Sequence, residues 1–304
     1  MSLTDATAVL EVCDLLTRII TAVVGISVAI TVLFLHKTVV LPIAIAVVIG
    51  IMLFELVRTV KLEKCMPILV SAEICGISLP LIYYNYRSYN IISIITFGIT
   101  LLCSFAIFVT WLNKHKEIQY SQVFFVLACM ILVPRAMSTI ILIEILSTHS
   151  VFFIVMGLCG AWIADSGAYF TGVAIGKHKL CPEISPKKTI EGFVGGIIST
   201  AVVFVASFFV YNNFITENPL GLTIIQYILV ALAGMVCAVI GTVGDLSASM
   251  VKRQIGFKDY GKIMPGHGGF MDRFDSVLFV LPAFYVFILM TGLIGGNSFL
   301  YYKF

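Results

Sequence analysis

The chain has 304 residues, of which 60% are hydrophobic and only 12% charged, with a formal net charge of +3 and a mean hydropathy of +1.07. No globular core hides that much apolar surface beneath so little charge, so a water-soluble domain is excluded and an all-α, polytopic integral membrane protein is expected. The 19 basic residues are spread over many segments, which leaves no polybasic patch and sets nucleic acid aside as a partner.

At the start of the chain Ala6, Val9, Leu10, Cys13 and Leu16 recur at helical spacing opposite Asp5, Glu11 and Asp14. That pattern suits a short helix lying at the membrane interface; a frayed terminus fits it equally. The first basic residue, Arg18, follows this stretch, and the apolar run after it has no small-residue cleavage site. A retained anchor is therefore expected rather than a cleaved signal.

An α-helix needs about 20 apolar residues to cross the hydrocarbon layer. Nine runs qualify, approximately 16–35, 39–60, 66–84, 91–112, 123–146, 151–175, 193–211, 224–244 and 277–293. The fifth is interrupted by Pro134 and Arg135, so it is expected to be kinked or to be two short pieces, and the count then lies between eight and ten. With nine spans, 15 Lys and Arg residues fall on the side of the N-terminus and only three on the other. That asymmetry puts the N-terminus and the two long polar loops, 177–192 and 245–276, in the cytoplasm and the C-terminus outside. An N-terminal set of helices, 1–150, and a C-terminal set carrying the polar loops, 151–304, are expected to form one membrane-embedded unit.

The eight cysteines are scattered without any CxxC or Cys/His pairing. They read as small buried hydrophobes rather than as a zinc site or disulfide framework.

Polar chemistry is concentrated between Asp245 and Asp275. The carboxylates Asp245, Asp259, Asp272 and Asp275 are interleaved there with Lys252, Arg253, Lys258, Lys262 and Arg273. Hard oxygen ligands beside cations and glycines are what a magnesium-phosphate site requires. Asp245 is expected to end the eighth span and Asp272 to open the ninth, which would let helix ends carry a carboxylate pair.

Pro265-Gly266-His267-Gly268-Gly269 must be a loop, either a simple turn between helices or a cradle whose N–H groups hold phosphate. The other loop carries Ser185-Pro186-Lys187-Lys188-Thr189-Ile190-Glu191-Gly192. Its lysines and hydroxyls suit triphosphate binding, although the lysines also read as positive-inside anchors and the hydroxyls as a cap for the seventh span. Asp165, within the sixth run, marks a polar cavity, because an ionisable residue there is otherwise costly. Glu55, Glu73, Arg135 and Glu144 lie in or near spans with no comparable polar neighbourhood in sequence, and Arg135 and Glu144 are expected to pair or snorkel.

The order Ser249, Lys252-Arg253, Lys258-Asp259, Gly261, Pro265, His267-Gly268-Gly269, Asp272-Arg273, Asp275 resembles the signature of the CDP-diacylglycerol synthases, or phosphatidate cytidylyltransferases. Asp165 with Ala168-Tyr169 and Gly172, the Ser185 to Gly192 loop and Gly244-Asp245-Leu246 look like the same family. Met264 stands where that signature more often has Leu, Ile or Phe. Before Asp165 the likeness is only hydropathic.

The resemblance implies a transfer from CTP to phosphatidic acid, giving CDP-diacylglycerol and pyrophosphate in phospholipid biosynthesis. It implies a Mg²⁺ cofactor, an enzyme in the cell's inner membrane facing the cytoplasm, and a possible homodimer. Carried over residue by residue, it assigns Asp245 and Asp272 to the metal, with Asp275 and Asp165 as further members of that polar cluster. Ser185, Lys187, Lys188, Thr189 and Glu191 would serve CTP, with Ser249, Gly268 and Gly269 lining the substrates. Lys252, Arg253, Lys258 and Arg273 would neutralise lipid phosphate or pyrophosphate, and His267 would hydrogen-bond a phosphate oxygen or brace the glycine loop.

Two rivals share part of this pattern. A CTP-dependent polyprenol or phytol kinase needs the same nucleotide and scaffold, but the order of the Lys-Arg, His-Gly-Gly and Asp-Arg-x-Asp elements argues against it. An ion-coupled transporter would use mid-membrane acids, yet leaves unexplained the charge gathered near helix ends.

Overall fold

A computed structural model describes residues 3–86, 88–261, 263–264 and 268–291, with side chains from residue 16 onward. Among these residues the chain is almost entirely helical. In order the elements are α1 (Leu3–Phe34), α2 (Val40–Thr59), α3 (Met66–Asn85), α4 (Tyr89–Asn113), α5 (Tyr120–Leu146), α6 (Ser150–Ile175), β1 (Lys179–Cys181), β2 (Ser185–Thr189), α7 (Ile190–Val210), α8 (Ile224–Ile255), α9 (Met271–Phe274) and α10 (Val277–Thr291). A single π-turn, Tyr211–Ile215, continues α7. Nine helical stretches among the described residues are long and apolar enough to cross a membrane, as the hydropathy pattern predicts. Large side chains stand exposed along them, such as Ile94, Phe97, Leu102 and Phe105 of α4. A lipid surround suits that face, and water does not.

One alternative for the fifth run is excluded and the end of the eighth moves, each for a clear physical cause. Of the two forms expected of the fifth run, two short pieces is excluded, because α5 runs as one helix through Pro134. The ring packs over Gly76 of α3, where a Cβ would come within 3.4 Å of the proline Cγ, and packed neighbours let a membrane helix keep an interior proline. Helix α8 does not stop at Gly244 but continues to Ile255. Asp245 therefore sits within the helix on a common stripe with Ser249 and Lys252, at spacings of four and three.

The residues cluster into two compact units that interleave along the chain. One comprises Met1–Ser138 and Ile255–Arg273, the other Thr139–Gln254 and Phe274–Phe304. The core of the first holds Val57, Ile68, Cys75, Ile107, Val126 and Met130, and the Gln122 side chain ties α5 to the end of α2 by donating to the Val60 carbonyl at 2.6 Å. None of the seven cysteines from Cys65 to Cys237 forms a disulfide.

In the second unit α6 and α7 lie against each other through glycine. A Cβ on Gly196 would come within 2.8 Å of the Ala164 carbonyl oxygen and 3.2 Å of Ala168 Cβ, and one on Gly192 within 2.6 Å of the Ala168 carbonyl oxygen. Small residues at this seam allow the close backbone approach on which helix association in lipid relies. Just before α7 the antiparallel hairpin pairs Lys179 with Thr189 and Cys181 with Ser185. Thr189 then caps α7, accepting from the Gly192 N–H at 3.1 Å, as its position ahead of an apolar run suggests.

Overfilling the seam should therefore be costly while an open glycine is tolerant. Gly196→Leu is expected to destabilise by about 1–3 kcal/mol, whereas Gly98→Leu, with nothing within 4 Å of its Cβ position, should melt like the wild type. Thermal unfolding of both variants in detergent checks this, and equal melting temperatures would refute the close-packed seam.

Candidate active site

In the second unit the polar residues converge on one ammonium group. Lys188 Nζ lies 2.6 Å from Asp245 Oδ2 and 3.7 Å from Asp165 Oδ1. The hairpin explains why this lysine and not its neighbour is engaged, because consecutive strand residues point to opposite faces. Lys188 is half-buried and Lys187 exposed. The close packing of α6 on α7 sets the Asp165 end of the pair, since Asp165 neighbours the Ala164 carbonyl that Gly196 abuts.

A third carboxylate completes the cluster. Asp275 is only 6% exposed, its Oδ1 accepts from the Ser276 N–H at 2.8 Å, and the Ser276 hydroxyl lies 3.4 Å from the same atom and 3.5 Å from Asp165 Oδ2. Asp275 feels the charges of Asp245, Lys252 and Asp165. From the stripe on α8, Asp245 meets Lys188 and the charge of Lys252 reaches Asp275, while Arg253 beside them is exposed.

Glu191 has a local task. Its carboxylate accepts from the Lys177 N–H at 3.1 Å and the His178 N–H at 3.2 Å, and lies 2.6 Å from His178 Nδ1. It clamps the exit of α6 to the start of α7.

The first unit contains a separate polar knot. Asp272 Oδ2 accepts from the Tyr260 N–H at 2.8 Å and the Gly269 N–H at 3.1 Å. Glu55 of α2, 1% exposed, accepts from the Phe270 N–H at 3.0 Å through Oε1 and the Met271 N–H at 2.8 Å through Oε2. Three successive backbone donors are thus aimed at two carboxylates. Glu55 has no comparable polar neighbourhood in sequence; its polar partners are backbone groups supplied from more than two hundred positions away, which leave no side-chain signal.

Gly268 adopts φ +88°, a left-handed conformation that favours glycine, and pairs with Met264. The N–H of Gly269, a candidate phosphate donor, is directed to Asp272. Lys258 and Arg273 are exposed. His267, assigned to a phosphate oxygen or to bracing the loop, lies outside the described residues.

Among the described residues no three His, Cys, Asp or Glu side chains stand close enough to form a ready-made metal cage. Asp165 and Asp245 do converge on a single cation, Lys188. Two carboxylates completed by phosphate oxygens and water are the usual protein share of a Mg²⁺ site, so the donor set fits that ion.

The sequence matches the Cytidylyltransferase family over residues 16–291. The chain belongs to this family. Its relatives include the phosphatidate cytidylyltransferase of Bacillus subtilis, 35% identical over 278 residues that cover 90% of this chain and 97% of that protein. The phosphatidate cytidylyltransferase of Staphylococcus haemolyticus is 45% identical over 131 residues, 43% of this chain and 46% of the relative, and that of Staphylococcus aureus strain COL 41% over 145 residues, 47% and 52%. Membership of a cytidylyltransferase family agrees with the resemblance read from the polar loops, and the relatives are bacterial proteins.

The Lys188–Asp245 contact yields a direct test. In a double-mutant cycle with Lys188→Met and Asp245→Asn, the two changes should be coupled by about 1 kcal/mol in detergent unfolding, while Lys187→Met and Asp245→Asn should simply add. Additivity in both cycles would show that the ion pair is not formed in solution.

Proposed function

We propose that this chain transfers the cytidylyl group of CTP to phosphatidic acid, releasing pyrophosphate and leaving CDP-diacylglycerol in the membrane. The observation that carries this reading is the Lys188 ammonium held between Asp165 and Asp245, in a chain aligned over 90% of its length with a phosphatidate cytidylyltransferase. The excess of Lys and Arg on one side of the spans supports a catalytic face turned to the cytoplasm, where CTP is available, and bacterial relatives support the inner membrane. The family resemblance supports a homodimer.

The chemistry asks little of the protein beyond charge and position. A phosphate monoester loses its second proton near pH of about 6, so a phosphatidate oxygen attacks the α-phosphorus of CTP without a general base. A new P–O bond forms as the bond to the bridging oxygen breaks, and pyrophosphate leaves with the electron pair. Both reactants are anionic, so the barrier falls mainly through alignment and neutralisation. In this reading Ser185, Lys187, Lys188 and Thr189 bind the triphosphate, while Lys252, Arg253, Lys258 and Arg273 neutralise the lipid phosphate and the departing pyrophosphate. Ser249, Gly268 and Gly269 line the substrates, and His267 contacts a phosphate oxygen. Glu191 acts by fixing the loop that carries the two lysines.

Asp245 and Asp165 would hold Mg²⁺, with Asp275 supporting them and Asp272 added on the strength of the signature alone. When bound, that ion supplies further neutralisation of phosphate charge.

The assay uses purified chain in detergent with phosphatidic acid and CTP labelled in the cytidine. Label should enter the lipid with Mg²⁺ and stop with EDTA, and Asp245→Asn should cut turnover about 100-fold or more while the protein still folds. In a parallel run with CTP labelled at the γ-phosphate, label entering the lipid while cytidine label does not would instead identify a lipid kinase. Undiminished turnover in EDTA, or in Asp245→Asn, would remove the metal assignment.

A further inference from the structure

Glu55 is the most deeply buried carboxylate among the described residues, and the proposed chemistry gives it no task. Its two oxygens accept from Phe270 and Met271, the two residues ahead of Asp272. These are the first donors of the helix that follows, groups that no preceding turn can satisfy. An ordinary helix meets that need with a local Ser, Thr, Asp or Asn. Here the cap comes from a different helix, four residues from the end of α2.

The fit is close on every side. A Cβ on Gly261 would collide with the Glu55 carboxylate, and one on Gly269 would stand 2.9 Å from both Glu55 Oε2 and Asp272 Oδ2. Two acids are therefore packed into one turn, and each is held by backbone N–H groups rather than by the other. A carboxylate placed only to stabilise a helix end has no reason to lie beside a second one, since like charges raise the cost of burial.

We propose that Glu55 is a positioning residue for Asp272. Its bidentate grip on Phe270 and Met271 fixes the backbone from which the Asp272 side chain projects, and so sets the direction in which Asp272 presents its carboxylate to the substrates. The inference rests on the reading above that Asp272 belongs to the cytidylyltransfer machinery. A misplacement of about 1 Å at such a group costs up to 100-fold in rate without weakening substrate binding in proportion.

The test compares wild type, Glu55→Gln, Asp272→Asn and the double variant, each purified in detergent. Glu55→Gln keeps the side-chain shape but sets an amide N–H against a backbone donor. It should melt within a few degrees of wild type, lose kcat by about 10- to 100-fold, keep KM for CTP within about threefold, and speed amide hydrogen exchange at residues 268–272. Added to Asp272→Asn it should cost less than a further twofold, because a residue that acts through Asp272 has nothing left to position.

Gly261→Ala provides a second route, since its methyl group displaces the Glu55 carboxylate without removing it. The same loss of kcat at constant KM is expected, and this variant carries the test if Glu55→Gln does not fold. A kcat within twofold of wild type in the variant that folds, or losses that multiply fully with those of Asp272→Asn, would overturn the inference while leaving the activity intact. A wild-type chain that makes no CDP-diacylglycerol overturns the activity reading itself, and the positioning role with it.

Discussion

A charge inside a bundle of apolar helices must find its partner within the protein, and this constraint organises the polar half of the molecule. Where water is scarce, an unpaired carboxylate is neutralised or expelled. Two solutions appear. Around Lys188 the acids Asp165 and Asp245 share an ammonium group, with Asp275 held beside them by Ser276. Around Glu55 and Asp272 the partners are backbone N–H groups released by a turn. The first solution leaves a cluster whose cation an incoming ligand is able to rebalance, and the second leaves a rigid one.

Each solution depends on glycine for a steric reason. The helices α6 and α7 approach closely enough for Lys188 to meet Asp165 only because the seam lacks side chains at Gly192 and Gly196. Likewise, Gly261 and Gly269 leave the room that the Glu55 carboxylate occupies. The density of glycine in the polar stretches therefore has at least two sources, helix approach and carboxylate approach. A phosphate-binding loop is a third use, and at Gly269 the N–H is already directed to Asp272.

What the sequence discloses follows from how far apart the interacting residues are. The nine spans are legible because length and hydropathy are properties of one segment at a time, and the Thr189 cap is legible because its partner lies three residues on. The end of α8 is hidden because its last turns carry Asp245, Lys252 and Arg253, and hydropathy falls where charge begins even when the helix does not end. The different environments of Lys187 and Lys188 depend on a five-residue strand too short to announce itself. Glu55 carries no signal in the sequence because its partners are main-chain atoms of Phe270 and Met271, which have the same N–H whatever side chain they carry.

Gathering acids to carry out a reaction between two anions looks unfavourable at first, and the geometry around Lys188 suggests why it is not. A lone lysine on a short strand is mobile and strongly hydrated, so much of its charge would be spent on water. Held between Asp165 and Asp245 it is oriented and partly dehydrated before any substrate arrives. On the proposed reading, a triphosphate and a divalent cation entering this cluster exchange partners within an existing array of charges, and little of the site has to reorganise as the phosphorus changes bonds. The acids are then the means by which the cation is aimed, which makes their number and placement as important to an anion-binding site as the lysines themselves.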